Sequence, residues 1–292
     1  MKYRFLITVL LAPFFAYPQT FDWWKNLVRW DGTTYWWKYL TISPKYLGPN
    51  ALTVPFINNG SIDSTCSFAA TVNFHFSKGD HTQNLILYGN YTTKKNTISV
   101  DAQFVPYERF TMTHAKKEER KVYYKNYYDK ATVGDVIINT TVQLFEKWRK
   151  HFQLALRAGM RLPSGGGQGS ARYADVPAYW IDVGGALPLK NNEWKWITMA
   201  GFFVWQTNSD KLRQDDAFLC GTGIEWNKGR FRLQNYFAGY FGYKENGDDP
   251  ILYRVSAEKR SKKITWLLRF QQGLNDFYYS SVEAGIRYHV GR

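Results

Sequence analysis

The sequence has few cysteines and almost no long apolar runs. It contains 2 cysteines among 292 residues, Cys66 and Cys220, and neither lies in a CxxC motif or another metal-ligand spacing. Outside residues 1–19, no apolar run approaches the roughly 20 residues that a membrane-spanning helix requires, and the mean hydropathy is −0.44. These absences exclude a cysteine-rich metal site and a polytopic helical membrane protein.

Aromatic residues, by contrast, are abundant. Phe, Trp and Tyr make up 18% of the chain, although hydrophobic residues of all kinds reach only 45%. Disordered chains are poor in aromatic and β-branched residues, so this composition predicts a folded protein. Because the apolar residues are spread over about every second position, the composition also favours β-strands. The formal net charge of +14 makes the protein strongly basic.

The only long apolar run lies at the N-terminus. Two basic residues, Lys2 and Arg4, precede the apolar run Phe5–Phe15. This run is too short for a membrane anchor and Pro13 interrupts it, so it is typical of a secretory signal peptide. We therefore expect residues 1–19 to be a signal peptide and exclude them from the fold.

From residue 64 onward, apolar and polar residues alternate with a period of two. At the C-terminus, for example, Val282, Ala284 and Ile286 alternate with Glu283 and Gly285. Such alternation indicates strands that are apolar on one face. Twelve segments show the pattern, at about 64–77, 82–91, 97–110, 134–146, 151–162, 176–190, 194–207, 217–227, 230–243, 250–259, 263–272 and 277–290.

The lengths of these strands and of their connections predict a transmembrane barrel. Several strands exceed ten residues, which is long for a soluble sandwich but suits a tilted strand that crosses a membrane. Short polar turns alternate with longer loops such as 111–133 and 163–175, as in outer-membrane barrels. We therefore predict an all-β fold, a closed antiparallel up-and-down barrel of about 12 strands over residues 64–292, in the outer membrane of a Gram-negative cell.

Aromatic residues near the strand ends predict interfacial girdles, in which Trp and Tyr rings lie at headgroup depth. The candidates are Trp148, Tyr179, Trp180, Trp194, Trp196, Trp205, Trp226, Tyr278 and Tyr279.

If the apolar face of each strand meets lipid, the other face points into the lumen. That face carries charged residues, namely Arg157, Arg161, Arg232, Arg254, Arg269, Arg287, Asp101, Asp182, Glu225, Glu258 and Glu283. Because an unpaired charge away from water is costly, we expect these groups to pair across neighbouring strands. A twelve-stranded barrel is narrower than an open porin, so the charges either tune the selectivity of a narrow channel or fill a closed interior.

Residues 20–63 precede the strand pattern and differ from it in composition. The Trp-rich stretch 21–30 has the spacing of a short amphipathic helix, and Pro44, Pro49 and Pro55 punctuate the irregular part that follows. We expect this segment to lie at the periplasmic membrane surface, to plug the barrel, or to be a lead-in without a function of its own.

The predicted loop 111–133 is rich in basic and tyrosine residues. Such a mixture occurs in nucleic-acid-binding segments, but in an exported barrel the nearer partners are lipopolysaccharide phosphates or anionic sugars, and a solvated charged loop is the alternative. For the barrel as a whole we expect membrane lipids and lipopolysaccharide as partners. We expect no nucleic-acid partner. The glycine-rich stretch 165–170 lacks the Lys-Ser/Thr pair of a phosphate-binding loop, and we predict no cofactor and no metal site.

The five histidines show no HExxH or other paired metal-ligand spacing. An outer-membrane lipid hydrolase requires a nucleophilic Ser or Thr, or a bound metal, beside a histidine. His75 with Ser77, and His289 with Ser281, are the candidate pairs. We predict no catalytic residues and treat a lipid-modifying enzyme as an alternative.

One part of the chain resembles a known family. The stretch Ala158–Gly165 and the following strand Trp180–Leu187 resemble the strand-loop-strand of outer-membrane channels of the phenol-degradation (MetA-pathway) type, over about thirty residues. Ser164 stands where that family usually has Thr, and a Trp-rich N-terminal segment is not a feature associated with that family. The resemblance implies an outer-membrane barrel that passes small apolar or aromatic compounds.

The sequence therefore favours a narrow outer-membrane channel or facilitator for small solutes. A structural or adhesive barrel with a closed lumen and a lipid-modifying barrel enzyme are the alternatives. An open lumen would favour the first, a lumen closed by ion pairs the second, and a Ser-His-carboxylate cluster at one rim the third.

Overall fold

The computed structural model describes residues 33, 47–51, 54–120, 131–145, 151–166, 172–174, 176–189, 193–205, 214–243, 245 and 247–290. The chain divides into two compact units, residues 1–39 and residues 40–292, and all strands belong to the second. The predicted signal peptide and the Trp-rich stretch lie outside the described residues.

Strands dominate the described part of the chain. They are β1 (Ser67–Ser77), β2 (Asp80–Thr92), β3 (Ile98–Met112), β4 (Ala131–Thr132), β5 (Val136–Leu144), β6 (Gln153–Leu162), β7 (Ala178–Pro188), β8 (Trp194–Trp205), β9 (Gln214–Lys228), β10 (Phe231–Phe241), β11 (Ile251–Arg260), β12 (Ile264–Asn275) and β13 (Ser280–His289). One short helix, α1 (His114–Glu119), is capped by the Thr113 hydroxyl, which accepts a hydrogen bond from the Lys116 amide. No described helix is long and apolar enough to cross a bilayer.

The strands close into an antiparallel barrel. Apart from the short β4, each strand pairs with at least two others, and β1 pairs with both β2 and β13, so the wall closes on itself. The two-residue β4 and the longer β5 both pair with β3, so they share one position in a wall of 12 strands. The predicted fold is confirmed, and each predicted strand coincides with an observed one apart from its ends.

The two ends of the barrel differ in their connections. We call the end with connections 113–130, 163–177, 206–213 and 242–250 the loop end. We call the end with the short connections 93–97, 145–152, 189–193, 229–230 and 261–263 the turn end. The chain enters β1 and leaves β13 at the turn end, where Ser67 pairs with His289.

Burial alternates along the strands as predicted. In β1, Phe68 is 65% exposed on the outer face while Ser67 is 3% exposed on the inner face. Outward Ile181, Phe202 and Leu268 are likewise exposed. A continuous apolar exterior around a closed wall is the surface that a bilayer requires.

The predicted aromatic girdle is wrong at three positions. Trp180, Trp205 and Tyr279 are almost fully buried inside the barrel. In the pair Tyr179-Trp180, a strand turns only one of two consecutive side chains outward, and here it is Tyr179. At the turn end, Trp194 is exposed on the outer face, and its ring centroid lies 6.1 Å from that of Trp226.

A bulge in β3 reverses the parity of its second half. The register between β2 and β3 shifts between Leu85 and Leu87, opposite Val105 and Pro106. Proline cannot donate a ladder hydrogen bond and often marks such irregularities. Beyond the bulge, Glu108 points inward and is fully buried.

Candidate functional site: the barrel lumen

The charged residues assigned to the lumen lie inside the wall, and most of them form ion pairs. An Arg157 nitrogen lies 2.8 Å from Asp182, and an Arg232 nitrogen lies 2.8 Å from Glu225. The remaining pairs within the assigned set are Arg269–Glu283, Arg232–Glu258 and Arg287–Glu258. The interior charges therefore largely neutralise one another.

Three members of the predicted set have other partners. Arg161 pairs with Asp135, which precedes β5. Arg254 donates hydrogen bonds to Gln271 and to two backbone carbonyls rather than to a carboxylate. Asp101 accepts a hydrogen bond from Asn139 at 2.9 Å, and no cation pairs with it among the described residues.

Residues 54–63, which we call the luminal segment, lie inside the barrel. Arg254 donates to the carbonyls of Val54 at 2.8 Å and Pro55 at 3.0 Å. The centroid of the Phe56 ring lies 4.7 Å from the guanidinium carbon of Arg254 and 4.2 Å from that of Arg269. The wall thus holds the start of the segment through its backbone and one ring.

Two consecutive asparagines hold the middle of the luminal segment. The Asn58 amide donates to Asp182 at 2.9 Å and to the Ala155 carbonyl at 3.2 Å. The Asn59 amide donates to Glu225 at 2.9 Å. These contacts connect the segment to β6, β7 and β9.

A glycine in β7 allows the luminal segment to approach the wall closely. A Cβ atom added to Gly184 would lie 2.0 Å from the Asn58 carbonyl oxygen, whereas one added to Gly185 would find only ordinary contacts at 3.4 Å. The segment continues to the turn end, where Asp63 lies 3.7 Å from Arg287. It therefore passes along the lumen before the chain enters β1.

A buried charge network occupies the loop end. The Arg172 guanidinium donates to Asp80 at 2.7 Å and to Glu108 at 3.2 Å, and Arg120 also donates to Asp80. The Tyr279 hydroxyl donates to Asp80 at 2.7 Å. All five residues are at most 3% exposed, so the network, here called the loop-end network, is buried from bulk solvent.

The electrostatics of the loop-end network favour its ionised arginines. Burial alone would lower the pKa of Arg172, but the adjacent carboxylates Asp80 and Glu108 outweigh this effect and raise its pKa. Burial, together with the charge of Asp80, raises the pKa of the Tyr279 hydroxyl, which therefore stays protonated as a donor.

Residues 47–51 contact the same network. The Asn50 side chain donates a hydrogen bond to Glu108. A Cβ atom added to Gly48 would lie 2.9 Å from the Arg172 carbonyl oxygen. Because this stretch lies at the loop end and Asp63 lies at the turn end, the chain traverses the lumen between them.

Aromatic rings fill the interior on the side of β7 to β10. The Phe203 ring stacks on Tyr240 with a centroid distance of 4.2 Å and lies 6.0 Å from Trp180. Met199 and Leu219 are buried with them. Sequence periodicity did not reveal this cluster, because β8 is apolar on both faces.

A cavity of about 350 Å³ lies beside the luminal segment. It is lined by wall residues and by the segment itself, and its lining includes amide, hydroxyl, aromatic and paired charged groups. This volume is near the lower end of the range for small-molecule pockets. The lumen is therefore narrow and partly filled, but it has room for a small solute.

Neither predicted histidine pair forms as predicted. His75 Nδ1 lies 2.7 Å from the hydroxyl of Ser281 instead of binding Ser77, and its Nε2 lies 3.3 Å from the Asn84 amide. The His289 ring contacts the hydroxyls of Thr65 and Thr265. His75 therefore contacts the serine that was predicted to pair with His289, because β1 lies beside β13 in the closed wall.

The remaining sequence predictions concern the basic loop, a metal site and the two cysteines. The part of loop 111–133 before residue 121 includes Lys116, Lys117 and Arg120, which are buried rather than solvated, and the tyrosine-rich part lies outside the described residues. Among the described residues, no cluster of three or more His, Cys, Asp or Glu side chains is placed to hold a metal ion. Cys66 and Cys220 are free thiols.

No protein-family model and no curated protein matches the sequence. Among solved structures, the fold is similar to the COG4313 outer membrane channel from Pseudomonas putida F1. The TM-score is 0.57, with 11% identity over 82% of this chain and 100% of that chain. The translocator domain of the autotransporter NalP from Neisseria meningitidis gives a TM-score of 0.41, with 10% identity over 78% of this chain and 89% of that chain.

At 11% identity, the similarity to the Pseudomonas channel concerns the fold. It agrees with the closed wall and the apolar exterior, and together they identify this protein as an outer-membrane β-barrel. The phenol-degradation type of channel stays a hypothesis.

Proposed function

We propose that the protein is a narrow outer-membrane channel for small solutes and that the luminal segment is its plug. The observation that carries the proposal is the position of residues 54–63 in the lumen, beside a cavity of about 350 Å³. The ion pairs would also suit a structural barrel, but the cavity leaves the Asn139 oxygen and the Trp180 indole nitrogen buried without partners among the described residues, which is costly in an interior that only fills space.

The contacts of the luminal segment suit a plug that moves. Asn58, Asn59 and the carbonyls that Arg254 holds make hydrogen bonds to the wall. Each of these bonds has a charged partner and contributes about 1.5–3 kcal/mol net, but Asp182 and Glu225 keep their arginine partners when such a bond breaks. The loop-end network, by contrast, would leave buried charges without partners if it opened.

The charged residues of the lumen tune selectivity in this proposal, although mutual pairing weakens their field. Arg157, Arg232 and Arg269 each have a carboxylate partner. We therefore expect weak charge selectivity rather than the strong anion preference of an unpaired arginine ring.

Membrane lipids and lipopolysaccharide are the proposed partners of the exterior.

Planar-bilayer recordings of Arg254→Met test the plug. The substitution keeps much of the side-chain volume but removes the donors to the Val54 and Pro55 carbonyls. Hydrogen bonds to a charged group contribute about 1.5–3 kcal/mol, so we expect the open fraction to rise about tenfold or more. The matched control is Arg109→Met, because Arg109 is exposed on the outer face of β3.

A rise in conductance with Arg254→Met but not with Arg109→Met supports the plugged channel. If wild type and both variants conduct equally, the segment is not a plug. If none of them conducts, the closed structural or adhesive barrel is the better account.

Two consecutive contacts, from Ser281 to His75 and from His75 to Asn84, favour a second candidate function. That function is hydrolysis of a small ester in the lumen. The order serine, imidazole, amide matches a nucleophile, base and orienting group, and Ser281 and His75 line the cavity. Covalent labelling of Ser281 by a small fluorophosphonate, lost in Ser281→Ala and in His75→Gln, would support the enzyme. Absence of labelling in the conducting Arg254→Met variant would remove it.

A further inference from the structure

One row of residues across the wall carries an unusual set of hydrogen-bonding groups. Asp101 of β3 lies opposite Asn139 of β5, Asn139 lies opposite Gly159 of β6, and Gly159 lies opposite Trp180 of β7. These residues are at one level of the barrel, and the three side chains line the cavity.

Glycine at position 159 is what brings the neighbouring side chains together. A Cβ atom there would lie 2.2 Å from Trp180 Nε1 and 2.3 Å from Asn139 Oδ1. The indole edge and the amide oxygen therefore both lie over Gly159, close to each other.

Two of these polar atoms are buried without a hydrogen-bond partner in the described part of the chain. They are the indole nitrogen of Trp180, a donor, and the amide oxygen of Asn139, an acceptor. Trp180 is only 2% exposed. A buried donor or acceptor that lacks a partner costs about 1–3 kcal/mol, so these two atoms point to a ligand.

Asp101 adds a second acceptor to the row. Its carboxylate accepts a hydrogen bond from the Asn139 amide at 2.9 Å, and among the described residues no arginine or lysine forms an ion pair with it. Asp182, Glu225, Glu258 and Glu283 all have such partners. Asp101 is therefore the one carboxylate of the predicted luminal set without an ion pair among the described residues.

The row thus presents acceptors beside a donor, which is the pattern that hydroxyl groups match. A hydroxyl donates one hydrogen bond and accepts others, so adjacent hydroxyls can donate to Asp101 and Asn139 and accept from Trp180. An apolar aromatic solute would leave the Trp180 donor and the Asn139 acceptor unsatisfied. An anion would be repelled by Asp101, and a cation by Arg254, which lines the same cavity and has no carboxylate partner among the described residues.

We propose that Asp101, Asn139 and Trp180 form a luminal subsite for a neutral, polyhydroxylated solute of about monosaccharide size. This inference rests on the proposed channel function and differs from the apolar solutes that the family resemblance implies. The cavity of about 350 Å³ is large enough for one such molecule.

Calorimetric titration of the full-length barrel in detergent tests the subsite without requiring conduction. The probes are glucose, its anionic relative gluconate, its cationic relative glucosamine, and phenol. We expect glucose to bind at least about tenfold more tightly than the other three. That factor corresponds to about 1.4 kcal/mol, as expected for one buried hydrogen bond.

Two variants isolate the polar groups of the subsite. Trp180→Phe keeps an aromatic ring but removes the indole donor, and Asn139→Ala removes the amide acceptor. We expect each to weaken glucose binding about tenfold. The control is Gln83→Ala, which removes an amide from the exposed outer face of β2 and should leave binding unchanged.

The outcomes separate the subsite from the channel. Tighter binding of phenol than of glucose, or equal glucose affinity in wild type, Trp180→Phe and Asn139→Ala, overturns the subsite. Flux assays in liposomes with the Arg254→Met variant then report on the channel separately. Flux without a preference for glucose leaves the channel and removes the subsite, whereas glucose binding without flux removes the channel.

Discussion

The loop end and the middle of the lumen bury polar groups in opposite ways. At the loop end, Asp80 and Glu108 are fully buried, and both accept hydrogen bonds from Arg172. In the middle, the luminal segment is bound through Asn58 and Asn59, beside a cavity. The comparison shows that a network of buried charges fixes one region, whereas separable hydrogen bonds hold the other.

Disruption of the loop-end network gives the largest expected loss of unfolding free energy. Arg172→Met leaves the carboxylates of Asp80 and Glu108 buried without their shared cation. Breaking a buried ion pair by removing one partner costs about 3–5 kcal/mol. We expect this loss of unfolding free energy in urea titrations of the folded barrel in detergent.

Arg109→Met is the control for Arg172→Met, because Arg109 is exposed. Wild-type stability of Arg172→Met would show that the loop end is no more rigid than the middle of the lumen, and the contrast between the two regions would be lost.

A charged substitution on the lipid-facing surface gives the next largest expected loss of stability. Leu156 is 38% exposed on the outside of β6, next to the inward Arg157. Leu156→Arg should cost about 2–4 kcal/mol, as charged residues do near the bilayer midplane. The measurement is barrel assembly followed by its heat-modifiable mobility in gels. Leu156→Met serves as the control, and normal assembly of the arginine variant would contradict the lipid-facing assignment.

Loss of the contact between Phe56 and two guanidinium groups gives the smallest expected effect on channel opening. Phe56→Leu removes the contact of the ring with the guanidinium groups of Arg254 and Arg269 but keeps an apolar side chain. Cation–π contacts contribute about 0.5–1 kcal/mol at partly exposed sites, which corresponds to a rise of about threefold in the open fraction. A conductance indistinguishable from wild type would show that the ring does not help to hold the plug.

The barrel wall was predictable from the sequence because its signal is local. Alternation along β6 sets Leu156 outside and Arg157 inside, and both side chains face as predicted. The same rule fails on β8, where Phe202 and Phe203 are equally apolar. It fails again beyond the bulge at Pro106, which turns Glu108 inward.

The luminal site was much less predictable because its contacts are distant in sequence. Asn58 and Asp182 approach each other only after the wall has closed, and the luminal segment has no periodicity that marks it as buried. The ion pairs were anticipated from the cost of buried charge, whereas the unpaired state of Asp101 was not. In the sequence, Gly184 is a local signal of the close approach of the luminal segment.

Gly184 offers the most direct test of the claim that the luminal segment plugs the channel. Gly184→Ala places a methyl group against the Asn58 carbonyl, while Gly185→Ala adds the same methyl group one residue away in ordinary contact. In planar bilayers, the account predicts that Gly184→Ala raises conductance and that Gly185→Ala resembles wild type. Equal conductance of the two variants, with both barrels folded, would contradict it.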